Sequence, residues 1–400
     1  MKSSGSVRAV SGFRFAAVDA GIRKRSALDV GLIVADRPVP TAAVFTTNRV
    51  QAAPVRLAKE RVKSGRAQAV LVNAGCANAC TGKPGMTAAI RSTVAVAKAL
   101  GIDAKLVLPA STGVIGQLLP ADKIVKNAVA LANELETTNV DAFSHAILTT
   151  DRGPKLARAT VKLGKSSVTV LGIAKGAGMI HPNMATTLAF VVTDANISSA
   201  VLKRALTSAT EGSFNAVTVD GDTSTNDTII AMASGDAGNA ALRAGDKNFV
   251  AFESALTEVL CSLAAQIVAD GEGAEHTVGI DVLGCKSKKD AMTVARTIAT
   301  SNLVKTAFHG KDPNWGRILA AAGRSGVAFN EEDASIHIGN VLVVKKGLAV
   351  GAAAEKKARE VMLHESYTVT VTLGKGAHDA RYVTCDLGHE YVRINADYRS

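Results

Sequence analysis

Apolar residues along this chain recur with two periods, one typical of strands and one typical of helices. Short apolar runs bounded by turn residues predict strands over 31–35, 69–72, 105–108, 168–171, 188–193, 228–232 and 278–282. Longer runs, with apolar residues three and four positions apart, predict helices over 87–100, 121–135 and 252–268. Gly101 is expected to end the first helix. The predicted apolar face of the second comprises Ile124, Val125, Ala128, Val129, Ala132 and Leu135.

The order of these elements predicts the fold class. Strands and helices are mixed without strict alternation, which favours a layered α+β fold over a doubly wound sheet. At 400 residues the chain is longer than the roughly 250–300 residues that one core usually serves, so two subdomains are expected. Hydrophobic residues make up 47% but aromatic residues only 4%, so Ala, Val, Leu and Ile must build the cores.

The formal net charge of +11 raises the question of nucleic-acid binding. The basic clusters are scattered, at 23–25, 286–289, 345–346 and 356–357, and no aromatic residues are interleaved with them. Base-stacking surfaces need such aromatics. We therefore expect no nucleic-acid partner, and interpret the charge as solvated faces that also attract anionic substrates.

The cysteines and the apolar runs bear on compartment and cofactor. Five irregularly spaced cysteines predict reduced thiols in a cytoplasmic protein. Cys76 and Cys80 have no second pair at zinc-site spacing, so no metal or bound cofactor is expected. Asp220-Gly221-Asp222 lacks the spacing of an EF-hand and predicts a tight turn. We expect no membrane association, because no apolar run reaches spanning length and no signal-peptide pattern precedes residue 12.

A glycine-rich segment over 176–187 leads directly into the apolar run at 188–192. An Ala185-Thr186 pair at such a strand entrance suits a threonine that becomes a free N-terminus when the chain cuts itself. Thr186 would then hold a hydroxyl nucleophile and an α-amine base on one residue. The unperturbed pKa of an α-amine is about 7.7–8.0, close to the pH at which a general base is most useful. Most Ala-Thr pairs before strands are ordinary turn and strand residues, so the pair alone does not identify Thr186 as a nucleophile.

Three further positions combine reactive chemistry with flexible backbone. Thr112-Gly113 follows an apolar run, and a glycine there lets the backbone aim N–H groups at a ligand. An ordinary turn of small residues would have the same sequence pattern. Lys175 begins the glycine-rich segment, but the order G-x-x-x-x-G-K-[ST] of a phosphate loop is absent. Glu272 stands between two glycines, so its carboxylate could enter a site or remain a solvated turn residue.

Motifs over almost the whole chain, taken together, resemble the ornithine acetyltransferases, also called glutamate N-acetyltransferases of arginine biosynthesis. The matching segments are 45–49, 73–82, 111–116, 149–151, 175–180, 184–186, 220–227, 270–274, 311–317 and 395–398. The resemblance implies stacked sheets between helix layers, similar in layering to N-terminal-nucleophile hydrolases but different in connectivity.

The resemblance also implies roles for individual residues. Cleavage falls between Ala185 and Thr186, Thr186 is the nucleophile, and the Thr112 hydroxyl and Gly113 N–H form the oxyanion hole. Residues that contact substrate are Thr149, Lys175, Thr186, Glu272, Asn395 and Ser400. Ser400 departs from the family, in which the last residue is more often threonine.

The implied activity is ping-pong acetyl transfer from N2-acetyl-L-ornithine to L-glutamate through an acetyl-threonine, and some family members also accept acetyl-CoA. The fragments 1–185 (α) and 186–400 (β) are expected to stay together, as a heterotetramer of two αβ units. Two alternatives stay open: a self-processing aminopeptidase or amidase of related fold, and an unprocessed, non-catalytic binding protein.

Overall fold

The computed structural model describes residues 10–181 and 187–397. Its strands are β1 Phe13–Val18, β2 Val30–Phe45, β3 Arg66–Cys76, β4 Val107–Val114, β5 Lys155–Leu163, β6 Ser166–Lys175, β7 Leu188–Thr193, β8 Val217–Thr218, β9 Thr228–Ala233, β10 Thr277–Cys285, β11 Ser335–Ile338, β12 Val341–Lys345, β13 Leu348–Ala349, β14 Ser366–Thr372 and β15 His378–Cys385. Its helices are α1 Ala53–Arg61, α2 Gly82–Leu100, α3 Ala121–Asn133, α4 Val140–Ala146, α5 Ser199–Glu211, α6 Lys247–Ala269, α7 Lys288–Ala299, α8 Asn302–His309, α9 Trp315–Gly323, α10 Ala352–Val361 and α11 His389–Asp397.

The first sheet has eight strands in the order β4-β3-β2-β9-β7-β6-β5, with β1 paired to β2. Both faces are covered, and β7 is buried at all six positions. Ala189 and Val191 belong to the core beneath α6, whereas Phe190 and Val192 belong to the core beneath α4. Burying a side chain such as Phe190 contributes about 1.5–3 kcal/mol of stability. Because both faces of β7 are buried, its sequence is a continuous apolar run.

The second sheet has seven strands in the order β13-β12-β11-β14-β10-β15-β8. Its central strand β10 pairs parallel with β14 and antiparallel with β15. Helices α7, α8, α9 and α10 pack over one face and share a separate apolar core with it. The predicted class, an α+β fold with layered sheets between helices, is confirmed.

The predicted elements lie where the apolar pattern indicated, with three local differences. Residues 104–106 form a 3-10 turn, and β4 begins only at Val107. The prediction that Val125 and Val129 point into the core is wrong, since their exposures are 38% and 63%. Helix α3 packs only a narrow stripe, Ile124, Ala128 and Leu131 among it, because no further layer covers its outer side.

The third difference concerns α6, the one helix in the described ranges that is long and apolar enough to cross a membrane. Its presence contradicts the expectation that no apolar segment reaches that length. Leu256, Leu260 and Leu263 are fully buried in the core shared with the first sheet. This packing is that of a core helix, which can be as long and as apolar as a membrane-spanning one.

Candidate active site

A polar pocket of about 190 Å³ opens where β4 and β6 end and β7 begins. Such a volume is below the roughly 300–1,000 Å³ of drug-sized sites and fits a molecule the size of an amino acid. Six of the predicted site residues line it: Thr112, Gly113, Thr149, Lys175, Glu272 and Asn395. Ala185, Thr186 and Ser400 lie outside the described residues, so the predicted nucleophile and cleavage position stay predictions.

The end of β4 lies against β3 through two glycines. Gly113 pairs with Gly75 in the parallel register of these strands. At Gly113 φ is +129°, and a Cβ there would lie only 2.6 Å from the backbone nitrogen of Cys76. Only glycine therefore fits at Gly113, and its backbone borders the pocket beside Thr112.

A buried ion network supports Lys175 at the other side of the pocket. The Lys175 ammonium donates hydrogen bonds to Thr149 Oγ1 at 2.6 Å and Thr112 Oγ1 at 3.4 Å. It lies 3.3 Å from the fully buried carboxylate of Asp151, which also binds Lys155 at 2.7 Å. Lys155 in turn contacts Asp270.

The charge balance of this network is positive. Arg152, at 2.9 Å from Asp270, brings the cations to three against two carboxylates. Burial by itself would raise the pKa of Asp151, but Lys175 and Lys155 outweigh it and hold that pKa well below the ordinary 3.8. Asp151 is therefore ionised at neutral pH. The excess positive charge is available to an anionic group of a ligand beside Lys175.

Glu272 provides the negative end of the pocket. The residue is only 9% exposed, and Oε2 accepts a hydrogen bond from Asn395 Nδ2 at 2.8 Å. The carboxylate lies directly over Gly178, where a Cβ would come within 2.6 Å of Oε1. Gly273, with φ of +72°, lies against the backbone of Tyr391 in α11. Gly178 and Gly273 thus leave room for Glu272 beside the glycine-rich segment and for its loop beside α11.

Loops from distant parts of the sequence are tied together at the pocket by Asn226. Its side-chain amide donates to Ala77 O at 2.7 Å and to Ser111 O at 2.9 Å. Thr46 Oγ1 donates to Ser224 O at 2.7 Å in the same loop. The motifs quoted at 45–49, 73–82, 111–116 and 220–227 therefore meet at one place.

Three residues in or beside the pocket were assigned no part in a site by sequence reasoning: Asp151, Asp220 and Tyr391. Asp220 was expected only to form a turn; it does accept the Asp222 N–H, but it also binds the backbone of Met179 and Ile180. Burial, with the carboxylates of Asp220 and Glu272, raises the pKa of the Tyr391 phenol. No local pattern distinguishes these residues, because each acts on a partner far away in the sequence.

One group of side chains in the described part of the chain has donor atoms close enough to hold a cation: Glu275, His309 and Asp386. It lies outside the pocket lining. Asp386 already accepts the backbone N–H groups of Glu275 and His276, and its other oxygen lies 2.8 Å from His309 Nδ1. Lys311 also binds Glu275, at 3.2 Å. These bonds satisfy the carboxylates without a metal.

Together, the layered α+β fold and a small pocket with buried charges of both signs are those of an enzyme acting on a small molecule. The chain belongs to the ArgJ family, whose model matches residues 14–400. It is 48% identical over 391 residues to the arginine biosynthesis bifunctional protein ArgJ of Desulfotalea psychrophila, covering 98% of this chain and 100% of that one. It is 49% identical over 391 residues to the protein of the same name from Geobacter sulfurreducens, with the same coverage.

A solved structure supports the relationship. The crystal structure of the arginine biosynthesis bifunctional protein ArgJ from Bacillus halodurans matches with a TM-score of 0.51 at 41% identity. The match covers 52% of this chain and 98% of that chain.

Proposed function

We propose that this protein transfers an acetyl group from N2-acetyl-L-ornithine to L-glutamate in arginine biosynthesis. The reaction follows cleavage of the Ala185–Thr186 bond, which makes Thr186 the N-terminus of the β fragment. Support comes from membership of the ArgJ family and from relatives named as arginine biosynthesis proteins.

The proposed mechanism is a two-step acyl transfer. The α-amine of Thr186 takes the proton of its own hydroxyl, and the oxygen attacks the acetyl carbonyl. The Thr112 hydroxyl and the Gly113 N–H stabilise the oxyanion, and each such donor is worth about 2.7–4 kcal/mol in the transition state. The α-amine of ornithine leaves with a proton. The α-amine of glutamate then attacks the acetyl-threonine, N-acetylglutamate departs, and the Thr186 hydroxyl is restored.

The observation that carries this proposal is the distribution of charge in the pocket. Both substrates are α-amino-acid derivatives with a carboxylate, and the free amino acids also have an α-ammonium group. Lys175, in a network with excess positive charge, suits the carboxylate. Glu272, held by Asn395, suits the ammonium. Both groups lie in the pocket that Thr112 and Gly113 line, next to Thr187.

The first experiment is intact mass under denaturing conditions, with N-terminal sequencing of the fragments. We expect two fragments, 1–185 and 186–400, the second beginning at Thr186. Thr186→Ala should abolish both cleavage and transfer, because one hydroxyl serves both reactions. A β fragment that begins elsewhere, or cleavage that persists in Thr186→Ala, would remove Thr186 as the nucleophile, with Thr187 the next candidate. An intact wild-type chain would favour the unprocessed binding protein.

The aminopeptidase or amidase alternative uses the same nucleophile with water as the acceptor. The two are separated by the fate of the acetyl group. We expect N2-acetylornithine to be consumed quickly only when glutamate is present. Release of acetate at a comparable rate without glutamate would favour the hydrolase.

We further propose that acetyl-CoA serves as a second acetyl donor, since the relatives are named bifunctional. Formation of N-acetylglutamate from acetyl-CoA and glutamate by the purified protein tests this. We also propose a cytoplasmic location, which the five unpaired cysteines support because thiols stay reduced there.

A further inference from the structure

The backbone just before the proposed cleavage position is held by one short segment, residues 218–223. The Asp220 carboxylate accepts hydrogen bonds from Met179 N at 2.6 Å and from Ile180 N at 2.9 Å. The carbonyl oxygen of Ile180 accepts from Val219 N at 2.7 Å and from Thr218 Oγ1 at 2.9 Å.

The same segment also binds the next residue. Thr223 Oγ1 donates to the carbonyl oxygen of His181 at 2.9 Å, and Ile180 pairs with Thr223 in an isolated antiparallel bridge. Three consecutive residues, 179–181, are therefore held through their backbones by residues 218–223. We call residues 218–223 the clamp.

The clamp holds a strained conformation. Met179 has φ of +57°, a left-handed value that a residue with a Cβ rarely adopts. Strained residues persist only where surrounding bonds over-determine them, and they concentrate at functional sites. The Asp220 bond to Met179 N is one such bond, and it lies six residues before Ala185 in the sequence.

Asp220 is well suited to this task, although it also lines the pocket. Its two oxygens are occupied by Met179 N, Ile180 N and Asp222 N. Both oxygens must accept at once, which a carboxylate can do and an amide cannot.

We propose that Asp220 is a positioning residue for self-cleavage: it holds Met179 left-handed, in the segment that precedes the Ala185–Thr186 bond in the sequence. The proposal rests on the proposed function, because it presupposes that the chain cuts itself at this bond. It assigns Asp220 a step before acetyl transfer.

The test compares self-cleavage rates of the full chain and uses Asp194→Asn as a matched control. Asp194 is also buried and accepts a backbone N–H, from Thr169 at 2.7 Å, but it follows the opposite end of β7. Asp220→Asn turns one acceptor into a donor that faces an N–H group. We expect it to slow cleavage by about ten- to a hundredfold, as for the loss of a charge-assisted hydrogen bond.

Asp194→Asn should also lower the melting temperature and yet cleave at the wild-type rate. If both variants slow cleavage in proportion to their loss of melting temperature, Asp220 is merely structural and the proposal fails. Wild-type cleavage in Asp220→Asn would also overturn it.

A rescue experiment checks the physical cause. Glycine adopts φ of +57° at no steric cost, so Met179→Gly in the Asp220→Asn background should restore cleavage by about fivefold or more. No restoration would contradict the role of the left-handed residue. If Asp220→Asn yields no folded chain, Thr223→Val removes another bond of the clamp and should also slow cleavage; a wild-type rate there would overturn the proposal. A wild-type chain that never cleaves would instead refute the proposed function.

Discussion

Asp151 is the carboxylate on which two buried lysines depend. Lys155 and Lys175 are almost fully buried, and Asp151 lies between them. A buried ion pair gains little over an apolar pair, but removing one partner leaves an uncompensated charge that is costly to bury. The network therefore keeps the Lys175 ammonium at the pocket, but the stability of the fold then depends strongly on the Asp151 carboxylate.

We predict that Asp151→Asn destabilises the protein by about 3–5 kcal/mol at pH 7, measured by urea unfolding. The folded-state pKa of Asp151 lies below its ordinary 3.8, so its contribution is complete above that pH and is lost as pH falls through the folded pKa. The difference in unfolding free energy between wild type and Asp151→Asn should be smaller at pH 3 than at pH 7. Asp36→Asn, which removes the exposed pair with Arg14, should cost less than about 1 kcal/mol. An equal loss of unfolding free energy in Asp151→Asn and Asp36→Asn would contradict the dependence of the network on Asp151.

Glu272 yields a second prediction at this scale. Glu272→Gln should raise the KM for the amino-acid substrates by about ten- to a hundredfold, the value of one charge-assisted hydrogen bond. Self-cleavage should change little, because no substrate ammonium is present then. Glu275→Gln, three residues on and exposed, is the control and should leave KM unchanged. If Glu272→Gln stops cleavage but leaves transfer kinetics normal, Glu272 serves maturation.

At the scale of elements, the approach of β3 and β4 creates the rim of the pocket. The parallel register brings Gly75 and Gly113 side by side, and a Cβ at Gly113 would lie 2.3 Å from the backbone carbonyl carbon of Gly75. The proposed oxyanion hole thus depends on the absence of a side chain at Gly113, where β4 lies directly against β3. The register, which the apolar pattern of each strand sets, makes the glycines meet.

Gly113→Ala should therefore lower both stability and self-cleavage, since β4 must move away from β3. Gly116→Ala is the matched control, because Gly116 also has positive φ, +82°, but has nothing within 4 Å of its Cβ position. It should cost only about 1–2 kcal/mol, the price of the left-handed conformation. Melting temperature and cleavage rate of the two variants check this. Equal effects would show that backbone conformation alone, and not the contact with β3, requires glycine at 113.

At the scale of the whole molecule, the first sheet is built from both sides of the proposed cleavage position. Strands β7 and β9 follow residue 186 in sequence and lie inside the sheet, β7 beside β6 and β9 beside β2. The predicted cleavage position therefore does not divide the chain into two structural domains. Cutting one peptide bond leaves the buried area of this sheet unchanged.

We predict that fragments 1–185 and 186–400 coelute in gel filtration under native conditions and separate only in denaturant. The expected assembly is two αβ units, with twice the 41.1 kDa of one chain. Fragments that elute separately without denaturant would contradict the shared sheet. A mass of one αβ unit would keep the shared sheet but reject the heterotetramer.

The sequence by itself determined what depends on near neighbours. The apolar periods predicted the strands at 69–72 and 188–193 and the helix ended by Gly101, because burial and backbone conformation act locally. Its motifs also identified the residues that would meet at the pocket. Only the tertiary structure decided that Val125 and Val129 stay exposed, because no layer covers that side of α3. It alone connected Asp151 with Lys175, and Asp220 with Met179, because ion pairs and hydrogen bonds between residues about 25 and 40 positions apart leave no periodic trace in a single sequence.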